Sequence, residues 1–225
     1  MVFVRLAGCP WRCRYCDTPG SLSPGAGEER TVEDVLERVQ ELERERSHKA
    51  VSLTGGEPLL QAEFSAALMK GLKGLGVMTY LETSGTHPEA LRGVIGDSDA
   101  VAMDVKLPSA IGRSFWAEHE EFLKIAGGKA FVKIVLTEDL TEEEMARATT
   151  LLAAARPVPP LVLQPATVVP EIPTGAGTRR GNGSPVARRV SPPSPKRIEA
   201  WKEFARRRLI DVRVLPQMHP LWGVP

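Results

Sequence analysis

Short β-branched runs alternate along this chain with longer stretches whose apolar residues recur at helical spacing. No other feature limits the fold as tightly. Runs at 2–6, 50–53, 77–81, 100–103, 131–136, 161–163 and 212–215 read as strands. Between them, 31–46, 62–73, 88–95, 114–126, a stretch beginning after Thr141, and 196–209 read as helices. Thr31 with Asp34 three residues on has the form of an N-terminal cap. Val32, Val35, Leu36, Val39 and Leu42 then mark one helical face, and Gly74 and Gly76 stop the second helix. Thr141 precedes Glu142, Glu143 and Glu144, carboxylates placed where the first turn of a helix favours negative charge. Seven strands with six mainly helical crossovers predict an α/β fold with a parallel sheet, either open and doubly wound or curled into a partial barrel. Both architectures put their sites at the carboxyl ends of the strands.

The 225 residues suit one domain, 1–225, large enough to bury a core without staples. Lys and Arg total 29 against 28 Asp and Glu, so a net charge of +1 makes no electrostatic case for nucleic acid or a membrane surface. No apolar run approaches the roughly 18 residues of a membrane span, and no signal peptide is visible after Met1. A cytoplasmic protein is the expectation. One segment breaks the alternation: 156–195 holds ten of the nineteen prolines. Within it, 171–195 has no Leu and no aromatic residue, and sets Arg179, Arg180, Arg188 and Arg189 against the single acid Glu171. Such a stretch cannot bury enough surface to order itself, which predicts a disordered insertion; a basic arm contacting an anion is the alternative.

All three cysteines, Cys9, Cys13 and Cys16, fall in one window after the first strand, spaced C-x3-C-x2-C. An odd, clustered set makes a poor disulfide framework and a good ligand set. Zinc wants a fourth ligand, and the nearest histidine, His48, is 32 residues past Cys16. An iron–sulfur cluster fits better, because thiolates are its usual ligands. Three cysteines on a four-iron cubane leave one iron open to an outside ligand. After the second strand comes Thr54-Gly55-Gly56-Glu57-Pro58, where two glycines allow close approach of a ligand to the backbone and Glu57 offers a carboxylate to an ammonium group. Further strand ends carry Glu82-Thr83-Ser84-Gly85-Thr86, Asp104-Val105-Lys106, Gln164-Pro165-Ala166-Thr167, and Gln217 with His219. Polar groups at nearly every strand end predict one shared site. On the first strand, Phe3 and Arg5 share a face opposite Val2 and Val4. A guanidinium on an inward face is costly unless an anion meets it.

These residues resemble the radical S-adenosylmethionine superfamily, whose two best signatures are the C-x3-C-x2-C loop and the Gly-Gly-Glu-Pro turn. The resemblance implies a partial (β/α)6 barrel, a 4Fe-4S cluster held by Cys9, Cys13 and Cys16, and S-adenosylmethionine bound to the open iron. It also implies that the reduced cluster cleaves that cofactor to a 5′-deoxyadenosyl radical, which abstracts hydrogen from the substrate. A narrower resemblance is to the 7-carboxy-7-deazaguanine synthase family. It is carried by Phe3 to Cys9, Cys16-Asp17-Thr18, Glu82 to Thr86, Asp104 to Lys106, Leu163-Gln164-Pro165 and Pro216-Gln217-Met218-His219. It implies conversion of 6-carboxy-5,6,7,8-tetrahydropterin to 7-carboxy-7-deazaguanine and ammonia, with Mg2+ required, in the biosynthesis of queuosine and related 7-deazapurines.

The same resemblance implies roles. Tyr15, Cys16, Asp17, Gly56, Asp104, Val105, Lys106, Gln164, Pro165, Ala166 and Thr167 would line the S-adenosylmethionine pocket. Thr18 would supply an oxygen to Mg2+. Arg5 would meet the substrate carboxylate, with Thr54 and the terminal carboxylate of Pro225 also on substrate. The expected partners are the small-molecule pterin, an electron donor such as flavodoxin or ferredoxin, and a second copy of the chain. The family's N-terminal hairpin bearing Ser-x-Gln-Gly-Glu would stand just before Met1; Pro10 replaces the usual Asn and Tyr15 the common Trp. Asp104-Val105-Lys106 also resembles the Asp-x-Lys segment of glycyl-radical-enzyme activating enzymes, an alternative with the same cysteine spacing. A non-enzymatic iron–sulfur module would leave Gly55-Gly56-Glu57 and the polar strand ends without a purpose.

Overall fold

The computed structural model describes residues 1–167 and 190–217. Each expected strand forms, and each pairs in parallel with its successor. β1 (Val2–Leu6), β2 (Ala50–Gly55), β3 (Met78–Thr83), β4 (Ala100–Asp104), β5 (Ala130–Leu136), β6 (Leu161–Pro165) and β7 (Val212–Val214) lie in one sheet in chain order. A doubly wound sheet reverses its strand order partway, and the reversal sends helices to its second face. No reversal occurs here. With right-handed crossovers, the unreversed order leaves every connecting helix on one face, so the other can curve round a cavity. The architecture is therefore an unclosed barrel of seven strands, with β1 and β7 at its open edges.

The helices are α1 (Val32–Glu45), α2 (Ala62–Gly74), α3 (Pro88–Val94), α4 (Pro108–Ile111), α5 (Trp116–Ala126), α6 (Glu142–Ala154) and α7 (Pro195–Arg206). Two of them open on complete capping boxes. Thr31 accepts from the Asp34 N–H at 3.1 Å while Asp34 accepts from the Thr31 N–H at 2.9 Å, and Thr141 with Glu144 repeats the arrangement. The last helix begins one residue earlier and ends three earlier than its periodicity suggests. Ser194 caps it and Pro195 takes the first position, where its missing N–H costs nothing. The single turn α4 has no sequence signal of its own. Its Ser109 N–H donates to Glu144 at 2.6 Å, so it is held from α6.

The pleat divides the strands between two environments. Val51, Leu53, Leu81, Val101, Met103, Val132, Ile134, Leu136, Leu161 and Leu163 are fully buried against Leu68, Met69, Leu72, Phe122, Met145 and Leu152 of the helix layer. The residues between them face the cavity. Of the expected insertion 171–195, residues 171–189 lie outside the described residues. Residues 190–195 belong to the folded part: Val190 is buried in a cluster with Tyr15, and the Ser191 carbonyl accepts from the Glu138 N–H at 2.9 Å. This moves the boundary expected at 195. Among the described residues no helix is long and apolar enough to cross a membrane.

Candidate active site

The cysteine loop leaves β1 at Gly8, whose φ of +99° is left-handed. The turn after β2 packs directly on it. Gly56 N–H donates to the Leu6 carbonyl and Glu57 N–H to the Gly8 carbonyl, each at 2.8 Å. A Cβ on Gly55 would lie 2.1 Å from the Leu6 carbonyl oxygen, and one on Gly56 2.1 Å from that of Gly8. The two glycines thus serve backbone-to-backbone contact between neighbouring strand ends, and Gly56 still borders the cavity. The expectation for Glu57 is corrected. Its side chain turns into the protein and is 1% exposed. It accepts from Leu59 N–H at 3.0 Å, Thr83 Oγ1 at 2.7 Å, Ser84 N–H at 2.8 Å and Ser84 Oγ. It ties β2 to β3 instead of presenting a carboxylate to a ligand.

Cys9, Cys13 and Cys16 are half-buried, none is in a disulfide, and all three line one cavity of about 400 Å3 on the concave face of the sheet. Burial pushes each thiol above its ordinary range, and the charge of Lys106 pulls all three the other way. Among the described residues no three His, Cys, Asp or Glu side chains converge on a point that a single ion could occupy. A cubane asks for something else, one thiolate on each of three irons around a shared space. The donor set fits a cluster and does not fit a mononuclear zinc site.

Beside the cysteines, Lys106 Nζ donates to Asp104 Oδ2 at 2.8 Å and lies 3.4 Å from the Tyr15 hydroxyl, over whose ring it sits at 5.2 Å. Burial works against the Lys106 charge, yet Asp104, Cys13 and Tyr15 together hold its pKa well above the ordinary value. Asp104 Oδ1 is buried with no hydrogen-bond partner among the described residues. An orphan acceptor in the wall of this cavity fits a polar ligand such as the hydroxyls or ammonium of S-adenosylmethionine.

Behind this pair lies His119 of α5, fully buried and without any signal in the sequence. Its Nε2 is 3.4 Å from the Lys106 N–H and 3.3 Å from the Ser84 carbonyl, so it sits between the ends of β3 and β4. Burial lowers its pKa to about 4. Between pH 6.5 and about 4 the unfolded chain therefore binds a proton at this position that the native state refuses. Stability then rises with pH across that window and is lost as pH falls through it. Urea midpoints measured from pH 7 down to 4.5 should fall more steeply for the wild type than for His119→Gln; parallel slopes would show that His119 does not titrate on unfolding.

The remaining wall comes from alternate residues of the strands. Arg5 is in register with Thr54, and both face the cavity with Phe3. Ser52 Oγ donates to Glu82 at 3.0 Å, and Tyr80, Phe131, Lys133 and Gln164 complete the face. At the rim, Thr18 Oγ1 donates to Asp17 Oδ1 at 2.9 Å, and Gln217 links Asp17 to Thr167. So Arg5, Tyr15, Cys16, Asp17, Thr18, Thr54, Gly56, Asp104, Lys106 and Gln164 meet as expected around one cavity. Val105 does not: its side chain is in the main core and its N–H donates to the Lys133 carbonyl. Pro165, Ala166 and Thr167 stand outside the cavity wall, Ala166 being buried beside Tyr15. Pro225 and His219 lie outside the described residues. Lys133 and Trp11 also line the cavity, and neither belongs to a motif that marks it in the sequence. A lysine between Val132 and Ile134 in an apolar strand was the one available signal for the first.

An unreversed parallel sheet curved round a cavity, with three thiols after its first strand, defines a partial β/α barrel built to hold a cluster. Residues 4–151 match the Radical SAM superfamily. A 7-carboxy-7-deazaguanine synthase of Geobacter sulfurreducens is 33% identical over 99% of this chain and 89% of its own length. One from Thermococcus kodakarensis is 34% identical over 73% of each. The chain belongs to the radical SAM superfamily and, within it, to the family of the 7-carboxy-7-deazaguanine synthases. Its fold is similar to that of a radical SAM methyltransferase from Sphaerobacter thermophilus, with a TM-score of 0.66 at 16% identity over 95% of this chain and 66% of that one. It is also similar to QueE from Escherichia coli, with a TM-score of 0.50 at 23% identity over 72% and 73%. At these identities the likeness is one of fold.

Proposed function

We propose that this chain makes 7-carboxy-7-deazaguanine from 6-carboxy-5,6,7,8-tetrahydropterin, contracting the ring with loss of ammonia. The observation that carries this reading is the juxtaposition of Arg5, Thr54 and Glu82 with the three cysteines around one cavity. It is supported by 33% identity to a synthase of that name over nearly the whole chain.

The cluster and S-adenosylmethionine, when bound, supply the radical that removes a hydrogen atom from the substrate. Every other task belongs to the protein. Cys9, Cys13 and Cys16 hold the cluster. Asp104 and Lys106 offer an acceptor and a cation to S-adenosylmethionine, with Tyr15, Asp17, Gly56 and Gln164 around it. Arg5 takes the substrate carboxylate, and Thr54 hydrogen-bonds the pterin. Thr18, beside Asp17, supplies a hard oxygen to Mg2+.

The test is direct. Anaerobically reconstituted protein, given S-adenosylmethionine, a reductant and carboxytetrahydropterin, should form 7-carboxy-7-deazaguanine by mass spectrometry, faster with added Mg2+. Cleavage of S-adenosylmethionine without any conversion of the pterin would overturn the assignment and favour a glycyl-radical activating role.

A further inference from the structure

Thr86 closes the polar run Glu82-Thr83-Ser84-Gly85-Thr86 at the end of β3, and it is not part of the cavity wall. Gly85, at a φ of +68°, turns the chain so that the Ser84 and Thr86 hydroxyls meet at 2.7 Å. Ser84 Oγ also reaches Glu57 Oε2, while Thr86 Oγ1 lies 3.1 Å from Trp11 Nε1 and 3.0 Å from His87 Nδ1. Glu57, Ser84 and Thr86 are all buried. A hydroxyl has one proton to give and two lone pairs. The Glu57 carboxylate accepts, and it takes the Ser84 proton. Thr86 must then donate to Ser84, which leaves its two lone pairs for the N–H groups of Trp11 and His87. The sense of every hydrogen bond from the buried carboxylate to Trp11 is thereby fixed.

Trp11 lies in the middle of the cysteine loop, whose ends are held by backbone. Gly8 and Cys9 N–H donate to the Ser21 and Leu22 carbonyls at 2.8 and 3.2 Å, and Arg14 N–H donates to that of Ala110 at 3.0 Å. Among the described residues, the N–H groups of Trp11, Arg12 and Cys13 make no hydrogen bond to a backbone carbonyl. The Arg12 side chain donates to the carbonyls of Cys9 and Trp11, within the loop itself. The Trp11 indole is what fastens this middle, by its N–H on Thr86 and by its ring, edge to face with Phe115 at 4.5 Å. Its backbone acts on a ligand directly: burial raises the Cys9 thiol, and the Trp11 backbone N–H opposes that rise.

We propose that Thr86 is a positioning residue for the cluster: through the Trp11 indole it holds the middle of the cysteine loop in place before iron is bound. This rests on the reading that Cys9, Cys13 and Cys16 hold a 4Fe-4S cluster. Trp11 stands two residues from Cys9 and two from Cys13, so its displacement moves both thiols. Glu57 acts one step further back, by setting the sense of the chain. A buried network of this kind works only when complete, because one missing hydroxyl leaves several groups unpaired at once. The carboxylate of the Gly-Gly-Glu-Pro turn thus serves the cluster from inside the protein.

The experiment compares Thr86→Val, Thr86→Ser and Trp11→Phe with the wild type. Thr86→Val keeps the shape and removes the hydroxyl. Trp11→Phe keeps a ring against Phe115 and removes the N–H. In the cluster-free protein, iodoacetamide should alkylate the cysteines about fivefold faster or more in both, because half-buried thiols on a loosened loop become accessible. After anaerobic reconstitution, a chelator should strip iron from both variants faster by a similar factor, read as decay of the visible absorbance. Thr86→Ser restores the hydroxyl and should stay within about twofold of the wild type in both measurements. The double variant Trp11→Phe/Thr86→Val should be no worse than Thr86→Val alone, because the two changes break the same hydrogen bond. Should Thr86→Val not fold, Trp11→Phe carries the same expectations by itself. Wild-type thiol and iron-release rates in Thr86→Val, whatever its thermal stability, would overturn the role. So would a Thr86→Ser protein as fast as Thr86→Val, or a double variant in which the two effects multiply. A wild type that takes up no cluster would instead refute the cofactor reading, and the positioning role would fall with it.

Discussion

Cys13→Ala protein, reconstituted anaerobically with iron and sulfide, is expected to fall from about four irons per chain to near none. S-adenosylmethionine cleavage and product formation should vanish with them. The three thiols sit on one loop and line one cavity, and no other thiol exists in the chain to replace a lost one. Removing one leaves a cubane with two protein ligands. Cys13 stands between the other two thiols in the loop and borders the small cluster of Tyr15, Ala110 and Val135. An alanine there takes away the ligand and little else, so far-ultraviolet circular dichroism should be unchanged. The measurements are iron and sulfide content, visible absorbance and 5′-deoxyadenosine yield. A variant that keeps a full complement of iron, or a wild type that binds one tetrahedral zinc and no cluster, would sink the assignment.

Arg5→Ala should cost the reaction about 2–5 kcal/mol in kcat/KM, a loss of thirtyfold or more, because the substrate carboxylate is left buried without its cation. Arg5 lies on the cavity face of β1, in register with Thr54 of β2 and four residues before Cys9. Arg5→Lys should recover only part, since an ammonium cannot reproduce the two parallel hydrogen bonds of a guanidinium. Slow cleavage of S-adenosylmethionine in the absence of pterin should persist in both variants, which separates a defect in substrate binding from a defect in the cluster. Unchanged steady-state kinetics with carboxytetrahydropterin in Arg5→Ala would refute the role.

Much of this site was legible because its parts are local. C-x3-C-x2-C is a ligand set within eight residues, and its chemistry needs no knowledge of distant contacts. The Gly-Gly turn was equally visible, but its purpose was not. That Gly56 must lack a Cβ because Gly8 lies against it is a contact across 48 residues of chain. The inward turn of Glu57 is hidden for the same reason: its partners Thr83 and Ser84 stand at the end of β3, 26 and 27 residues further on. Nothing in the sequence around His119 separates a histidine behind the site from an ordinary core residue. Val105 stands between two cavity residues, Asp104 and Lys106, and the reversal of side at each residue of an extended chain sends it to the core.

Periodicity along the chain named the strands and helices, and residue chemistry named the cluster, since both are properties of neighbours in sequence. Alternation is the same for a doubly wound and a curled parallel sheet, so it does not separate the two. The choice fell to strand order, which is set by which apolar faces pack together, and the unreversed order puts all the helices on one side. Register then decided which polar side chains share the cavity. A period of two says that Phe131, Lys133 and Val135 lie on one face of β5; only the packing of Val132, Ile134 and Leu136 against the helix layer settles that this face is the one turned to the cysteines.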